Sequence, residues 1–272
     1  TPTPPPARCY YPLALNEVDN DNRQGAIVLY TKAIEAKPDY FKALNNLGLL
    51  YLEDKRYKEA IHFLERANLL SPDEIHPKVN LALAFSHIGK FANAHALLVN
   101  VDIKGLTDDV KETILNTLGT AQLQLQKFDQ AYESFSQLVV KVNPENFIAL
   151  TQLSFIALEI KKEYTVANTW VDQALAINPD FKPALQNKGL IMKAMGKYDE
   201  ALLYLQKVID ANPNNFEGYY NLACVYAATK NPEGLMHNLQ KSLQLAPYIK
   251  DHVKQDPDFS AYRNEEWFRK LL

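Results

Sequence analysis

Proline recurs along this chain at a nearly constant interval, and that interval restricts the folds that the sequence can adopt. Neighbouring prolines of the recurring set lie 34 or 35 residues apart, except for one gap of 72 residues. The set comprises Pro38, Pro72, Pro144, Pro179, Pro213 and Pro247. A unit of this length cannot bury an apolar face by itself, so such units stack on their neighbours and share one core.

A second recurring pattern lies halfway through each interval and marks a turn between two helices. It consists of a polar turn, an aromatic residue and, three residues later, an alanine at Ala60, Ala94, Ala131, Ala167 or Ala201. Small residues also recur in the preceding segments, at Gly48, Ala82, Gly119, Gly189 and Ala223. Side chains this small let two helices approach closely. Each interval is therefore predicted to form an antiparallel helix pair that ends at its proline.

The spacing of these residues resembles that of the tetratricopeptide repeat (TPR). The interval that starts at Phe41 carries the signature residues Leu44, Leu47, Gly48, Tyr51, Ala60, Leu64, Ala67 and Pro72. The intervals that start at Lys182 and Phe216 carry similar sets. The resemblance implies an all-α fold, a right-handed α-solenoid of antiparallel helix pairs, with about seven repeats.

The repeat pattern divides the chain into three predicted parts. Residues 1–7 are predicted to be a Pro-rich linker, residues 8–249 a TPR solenoid, and residues 250–272 a C-terminal capping segment. The solenoid is predicted to be irregular at 102–111, where the closing proline is missing and the Asp108–Asp109 pair indicates a loose loop. The cap is predicted from the apolar residues Phe259, Tyr262, Trp267, Phe268, Leu271 and Leu272, because a terminal repeat needs its last apolar face covered.

Two local predictions concern where the helices begin. Pro12 lies in the first apolar segment, so the first helix is predicted to start late. Asp39, Asp73 and Asp180 each follow a recurring proline and are predicted to cap the next helix.

Asparagine recurs at one step of the predicted first helices, although it is a poor helix former. Two residues before the small residue of each repeat stand Asn46, Asn80, Thr117, Gln152, Asn187 and Asn221. In a TPR, the first helix of each pair lines the concave face, and the pattern resembles the asparagine ladder of the TPR superhelix in O-GlcNAc transferase. The resemblance implies that these side chains bind the backbone of an extended peptide, because a carboxamide both donates and accepts hydrogen bonds. An alternative is that the amides join neighbouring repeats.

Further residues are predicted to contribute to the same peptide-binding face. Lys42, Asn45 and Asn116 occupy other inward positions, and Tyr220 precedes Asn221 and offers an amphipathic contact. TPRs that hold chaperone C-termini use a clamp of lysine, asparagine and arginine residues on successive first helices. The third and fourth repeats lack the basic residues of that clamp, so a ladder is favoured over a clamp.

The chain shows no pattern of a catalytic, metal or cofactor site. The 6 histidines lack metal-binding spacing, the 2 cysteines, Cys9 and Cys224, form no CxxC pair, and the 9 glycines form no phosphate loop. Cys224 is predicted to be a buried core residue. With 29 basic and 32 acidic residues, the chain has no charge excess that suggests nucleic acid binding.

The predicted function is a non-catalytic protein–protein interaction scaffold that binds an extended peptide, with no cofactor, no nucleic acid and no membrane span. Two alternatives stay open: the substrate-recognition region of a larger enzyme such as a glycosyltransferase, and a self-assembly module. A cytoplasmic location is favoured, while a periplasmic location or membrane anchoring through a preceding segment is compatible with the sequence.

Overall fold

The computed structural model describes residues 6–272, and every regular element within that range is helical. The predicted all-α fold of antiparallel helix pairs is confirmed. Most of the predicted linker 1–7 lies outside the described residues, and Ala7 already belongs to the first helix. The chain forms two compact units, with the boundary between Asn143 and Pro144. The predicted boundary at 249 stays a prediction.

The first unit contains four helix pairs. In chain order its helices are α1 (Ala7–Asp19), α2 (Arg23–Ala36), α3 (Phe41–Glu53), α4 (Tyr57–Leu70), α5 (Ile75–His87), α6 (Phe91–Leu98), α7 (Asp108–Gln124) and α8 (Phe128–Lys141). The two helices of each pair pack against each other, and each pair also packs against the next. The core lies between them, where Leu44, Leu47 and Leu64 are fully buried.

The second unit contains three helix pairs and a C-terminal segment. Its helices are α9 (Phe147–Phe155), α10 (Tyr164–Ile177), α11 (Lys182–Ala194), α12 (Tyr198–Ala211), α13 (Phe216–Ala228), α14 (Pro232–Leu245), α15 (Lys250–Gln255) and α16 (Glu266–Leu271). A π-helical turn, Ile156–Ile160, extends α9, and two 3-10 turns, Pro247–Ile249 and Pro257–Tyr262, flank α15. The π-helical turn takes up the extra residue that makes this repeat 35 residues long.

Every turn between the two helices of a pair contains one residue with a positive φ angle. The residues are Asp21, Lys55, Gly89, Gln126, Lys162, Gly196 and Lys230. The following amide then bonds back to the carbonyl of the helix end, as Arg56 N does to Tyr51 O at 2.8 Å. This is the Schellman arrangement that ends many helices. Only Gly89 and Gly196 adopt it without a penalty from a Cβ atom.

Replacing Gln126 with glycine is therefore expected to stabilise the first unit. A residue with a side chain pays about 1–2 kcal/mol in the left-handed region, while the greater flexibility of glycine in the unfolded chain offsets about 0.4–1 kcal/mol. We expect a net gain of about 0.5–1 kcal/mol, measured by urea denaturation. The control is Glu133→Gly in the exposed middle of α8, which should lose about 1 kcal/mol. Equal losses for both variants would contradict the prediction.

The predicted close approach of paired helices is present at the recurring glycines. A Cβ atom built on Gly48 would lie 2.6 Å from Leu64 Cγ, and one on Gly189 would lie 2.6 Å from Leu205 Cγ. At Gly119 the neighbour is the ring of Phe135, at 2.8 Å. Glycine therefore leaves at these steps the space that a large buried side chain of the partner helix fills.

The predicted aspartate caps are wrong, because each of these residues stands one position before the N-cap of its helix. Tyr40 N donates to Lys37 O at 3.0 Å, which places Pro38 and Asp39 inside a β-turn before α3 begins. The N-cap residues Tyr40, Glu74 and Phe181 make no side-chain cap bond. Asparagine caps other helices instead, through the side chains of Asn22, Asn146, Asn215 and Asn231.

Two further expectations differ from the structure. The late start predicted for the first helix is wrong, because α1 begins at Ala7 and includes Pro12. In the irregular third repeat, α6 has only 8 residues, and an irregular segment follows it until α7 begins at Asp108. Asp108 and Asp109 therefore lie in the first helical turn, where the helix dipole favours acidic side chains.

The apolar residues of the C-terminal segment pack against the last helix pair. Phe259 and Phe268 are fully buried beside Leu235 and Leu239 of α14, and Tyr262, Trp267, Leu271 and Leu272 surround them. The segment thereby covers apolar surface of α13 and α14, which a further repeat would otherwise cover.

Candidate peptide-binding face

The first helices of neighbouring pairs contact one another, so that they form a continuous surface within each unit. In the first unit α3 contacts α5 and α5 contacts α7, and in the second α9 contacts α11 and α11 contacts α13. Five predicted site residues lie at one step, five residues after their helix begins: Asn46, Asn80, Gln152, Asn187 and Asn221. Thr117 stands two residues before Gly119, as Asn46 does before Gly48. We call this recurring step the amide position.

Asn46 is bound by the preceding repeat. Its side-chain nitrogen donates to the hydroxyl oxygens of Tyr11 and Tyr30, at 3.2 Å each, and its oxygen accepts from Asn45 Nδ2 at 3.2 Å. Burial raises the pKa of both tyrosines, and the hydrogen bonds from Asn46 partly offset that rise. The Asn46 amide thus joins the first two repeats.

Asn187 makes a comparable connection in the second unit. Its Nδ2 donates to the backbone oxygen of Thr151, in the preceding first helix, at 3.1 Å, and the residue is only 9% exposed. Both Asn46 and Asn187 therefore have the role that we gave as the alternative to peptide binding. The two roles are compatible, because each amide offers more hydrogen-bonding groups than these contacts use.

The remaining amide positions differ in access. Asn80, Gln152 and Asn221 are half-buried, and their side chains make no hydrogen bond to another residue of the described chain. Thr117 is 4% exposed and has little surface to offer a ligand. Asn80 in the first unit, and Gln152 and Asn221 in the second, are therefore the amide positions with free carboxamides.

The other predicted contact residues in the first unit also have different surroundings. Lys42 is exposed and Asn116 is half-buried. Asn45 donates to Asn46, while its own Oδ1 atom is buried and has no hydrogen-bond partner in the described part of the chain. An unsatisfied buried carbonyl is costly, so Asn45 is a group that would gain from a donor.

Tyr220 is covered by the C-terminal segment. Its hydroxyl donates to Asp256 Oδ2, and its ring lies edge-on to Phe259, with ring centroids 5.7 Å apart. Burial and the bond to Asp256 raise its pKa far above the ordinary tyrosine value. The amphipathic contact predicted for Tyr220 is therefore already made, to a residue of the same chain.

Lys193 and Cys224 belong to the same contact, and the sequence did not single them out as site residues. Lys193 Nζ, in α11, pairs with Asp258 Oδ2 of the 3-10 turn, 65 residues away in the chain. Cys224 lies in α13, with its sulfur and the two carboxylates within 4.8 Å of one another. Two sequence features could have indicated this contact. They are a lysine near the end of a first helix and the acidic stretch Asp-Pro-Asp after the last repeat.

The environment of Cys224 predicts different reactivity for the two cysteines. The residue is buried, as predicted, and burial and nearby carboxylates raise the pKa of its thiol, an effect that Lys193 only partly offsets. Because the thiolate is the reactive form, we expect a thiol reagent at neutral pH to label exposed Cys9 rapidly and Cys224 only after denaturation. Mass spectrometry of the labelled protein would test this, and rapid native labelling of Cys224 would contradict it.

A buried lysine was also missed. Lys188 is 6% exposed, and its ammonium group donates to Asn168 and Asp172 of α10 at 2.6 Å each. It stands where the second repeat has Leu47, and it connects α11 to the preceding helix pair. The sequence feature that could have indicated it is a lysine directly before a recurring glycine, at a position where the second repeat has a leucine.

Other kinds of site find little support in the described chain. Cys224, Asp256 and Asp258 are its one group of three possible metal ligands. They do not fit a cation well, since the Lys193 ammonium already pairs with Asp258 and burial raises the pKa of the Cys224 thiol. Among residues 6–272, no helix combines the length and apolar character needed to span a bilayer.

Comparison with known proteins identifies similar repeats. Two sequence models match parts of the chain, one described as tetratricopeptide repeat at residues 29–62 and one described as TPR repeat at residues 189–230. Human protein O-mannosyl-transferase TMTC3 is 23% identical over 221 residues, which are 80% of this chain and 21% of the transferase. The chain thus spans about a fifth of the length of that relative.

Solved structures show the same fold. A tetratricopeptide repeat protein of Parabacteroides merdae superimposes with a TM-score of 0.62 at 16% identity, over 97% of this chain and 98% of that protein. The pilF protein of Pseudomonas aeruginosa superimposes with a TM-score of 0.63 at 19% identity, over 76% of this chain and 92% of that one.

Proposed function

The chain belongs to the tetratricopeptide repeat family, whose repeats are protein–protein interaction scaffolds, and we propose that it binds an extended segment of a partner protein at its amide position. The TPR fold is generally non-catalytic. The observation that carries the proposal is the recurrence of a carboxamide at one step of five first helices, three of which have free side chains.

The geometry of stacked helices suits an extended ligand. Packed helices lie about 8–10 Å apart, and an extended chain rises about 3.3 Å per residue. One carboxamide on every first helix would contact about every third residue of a bound segment, and the free carboxamides Gln152 and Asn221, which lie two first helices apart, would contact about every sixth. Because each contact uses the ligand backbone, such binding tolerates many side chains and suits segments that are disordered when free.

The test uses a binder selected from a displayed library of random peptides. We expect Gln152→Ala combined with Asn221→Ala, both in the second unit, to weaken its binding about tenfold, since each lost hydrogen bond contributes about 0.5–1.5 kcal/mol. The free energy of unfolding should change little, because neither side chain has an internal partner. Asn46 and Asn187 are poorer probes, because their loss also removes contacts between repeats.

Two controls separate backbone recognition from other effects. Asn93→Ala combined with Asn264→Ala removes two exposed asparagines outside the first helices and should leave affinity unchanged. N-methylation of successive ligand amides should weaken binding most at positions about six residues apart, which is the spacing of the free carboxamides. A binder that loses affinity on alanine substitution but tolerates N-methylation would argue against a carboxamide ladder.

A second candidate function follows from the similarity to the human transferase. That protein is named as an O-mannosyl-transferase, and the repeats of this chain would, by analogy, select acceptor segments for a glycosyltransferase. The same library distinguishes the two functions. Enrichment of serine- and threonine-containing segments would favour acceptor selection, and indifference to these residues would favour a general scaffold. Self-association stays a further prediction, which light scattering over a concentration series would test.

A further inference from the structure

The C-terminal segment crosses the first helices of the last two repeats and binds residues on both. Asp256 accepts from Tyr220 in α13, and Asp258 reaches past α13 to pair with Lys193 in α11. Cys224, one turn after Tyr220 in α13, lies beneath the two carboxylates. The segment therefore binds to two of the first helices on which the proposed function places a partner.

The segment carries its own compact conformation. Asp256 Oδ1 accepts from the backbone N of Asp258 at 2.8 Å and caps the 3-10 turn. Arg263 Nη2 donates to the backbone oxygens of Gln255 and Asp256, at 2.9 and 3.1 Å. These local bonds lie within residues 255–263, so a short peptide of that sequence contains the donors and acceptors of all three bonds.

The contacts define the chemistry of the surface. A lysine ammonium and a tyrosine hydroxyl hold one carboxylate each, and charge-assisted bonds of this kind are the strong ones. Next to them, Phe259 is fully buried against Tyr220 and Phe268. The surface thus combines two carboxylate-binding groups with an aromatic pocket, at the spacing Asp-x-Asp-Phe.

We propose that Lys193, Tyr220 and the pocket of Phe259 form a binding site for an acidic partner segment with two carboxylates followed by an aromatic residue, and that residues 256–259 are its intramolecular occupant. This deepens the proposed function, and it rests on it only in placing a ligand on the first helices. A tethered occupant has an effective concentration of about millimolar. A partner therefore gains access to the site when it binds strongly enough to displace residues 256–259, or when the contacts of these residues with the site are weakened.

Cys224 provides a reporter for the occupant, because the segment shields it. In a Cys9→Ser background Cys224 is the single thiol of the chain. Converting Asp256 and Asp258 to asparagine keeps the side-chain shape but removes both charges held by the site. We expect this double variant to react with a thiol reagent about tenfold faster than the parent, as the segment opens more often.

The decisive measurement adds the free peptide QDPDFSAYR, residues 255–263, to this double variant. We expect saturable binding by fluorescence anisotropy and a return of Cys224 to slow labelling. The same peptide with both aspartates replaced by asparagine should neither bind nor slow the labelling of Cys224. Lys193→Met in the double variant should weaken binding of the acidic peptide about tenfold. The parent, whose site is occupied, should bind the peptide at least about tenfold more weakly than the double variant.

Several outcomes would overturn the proposal. One is that Cys224 in the double variant reacts with the thiol reagent as slowly as in the parent. Another is that the double variant is folded and has a reactive Cys224 but does not bind the peptide. Circular dichroism melting accompanies each assay, and Asp258→Asn alone serves as a milder variant. If both variants unfold at the assay temperature, the segment is an inseparable part of the core, and the proposal fails. Gln152→Ala should not affect this peptide, so failure here is distinct from failure of the carboxamide ladder.

Discussion

Replacing Gly48 with leucine is expected to lower the free energy of unfolding of the first unit by about 3 kcal/mol. The new Cβ atom would lie 2.6 Å from Leu64 Cγ and 3.4 Å from the backbone oxygen of Ala60. Leu64 is fully buried and protein interiors are close-packed, so we expect the two helices to separate. Urea denaturation followed by circular dichroism would measure the loss.

A second substitution tests whether the clash with Leu64 is the cause. Leu64→Ala alone should cost about 2–5 kcal/mol by leaving a cavity, but in the Gly48→Leu background the new side chain can fill that cavity. We expect the double variant to be more stable than the sum of the single effects predicts, by about 1–2 kcal/mol. Lys58→Leu, at an exposed position of α4, is the control and should change stability by less than about 0.5 kcal/mol. Simple additivity would contradict the packing explanation.

Asp172→Ala is expected to destabilise the second unit by about 2 kcal/mol, less than the full cost of breaking a buried ion pair because Asp172 itself is half-exposed. The substitution leaves the Lys188 ammonium, with a side chain only 8% exposed, with Asn168 as its remaining close polar partner. The face of Tyr204, 5.7 Å away, adds a weaker attraction.

Lys188→Met provides the matched comparison. It removes the buried charge but keeps an unbranched side chain of similar length, and the stranded Asp172 can still reach water. Exchange of a buried ion pair for apolar contacts is often neutral or stabilising, so we expect a change within about 1 kcal/mol. A larger loss for Lys188→Met than for Asp172→Ala would mean that the ion pair itself is a net source of stability.

Sequence reasoning succeeded where the determining contacts are local and repeated. Gly48, Gly119 and Gly189 each face a large residue 16 positions later in the same repeat, so the same pattern appears in three of the repeats. The helix starts were predicted less well. A β-turn contains Pro38 and Asp39, so Asp39 does not cap α3. The caps that do form, such as Asn146 and Asn215, lie one residue further on.

The site was harder to predict, because its side-chain contacts connect different repeats. Asn46 was correctly placed at a recurring step, yet its partners Tyr11 and Tyr30 lie 35 and 16 residues away. No periodic pattern encodes such a pairing, since the neighbouring repeats carry different residues at those places. Lys193 and Asp258 are 65 residues apart, and only the folded chain brings them together. Peptide binding at the amide position therefore stays a proposal.

The two phenol contacts of Asn46 have a mechanical consequence for the junction between the first two repeats. Apolar surfaces slide and rotate over one another at little cost, whereas hydrogen bonds weaken steeply as their angle departs from linearity. A carboxamide that donates to two fixed oxygens restricts rotation about the axis between the helix pairs. This junction should be torsionally stiff, and replacing Tyr11 and Tyr30 with phenylalanine should soften it while leaving the apolar contacts intact.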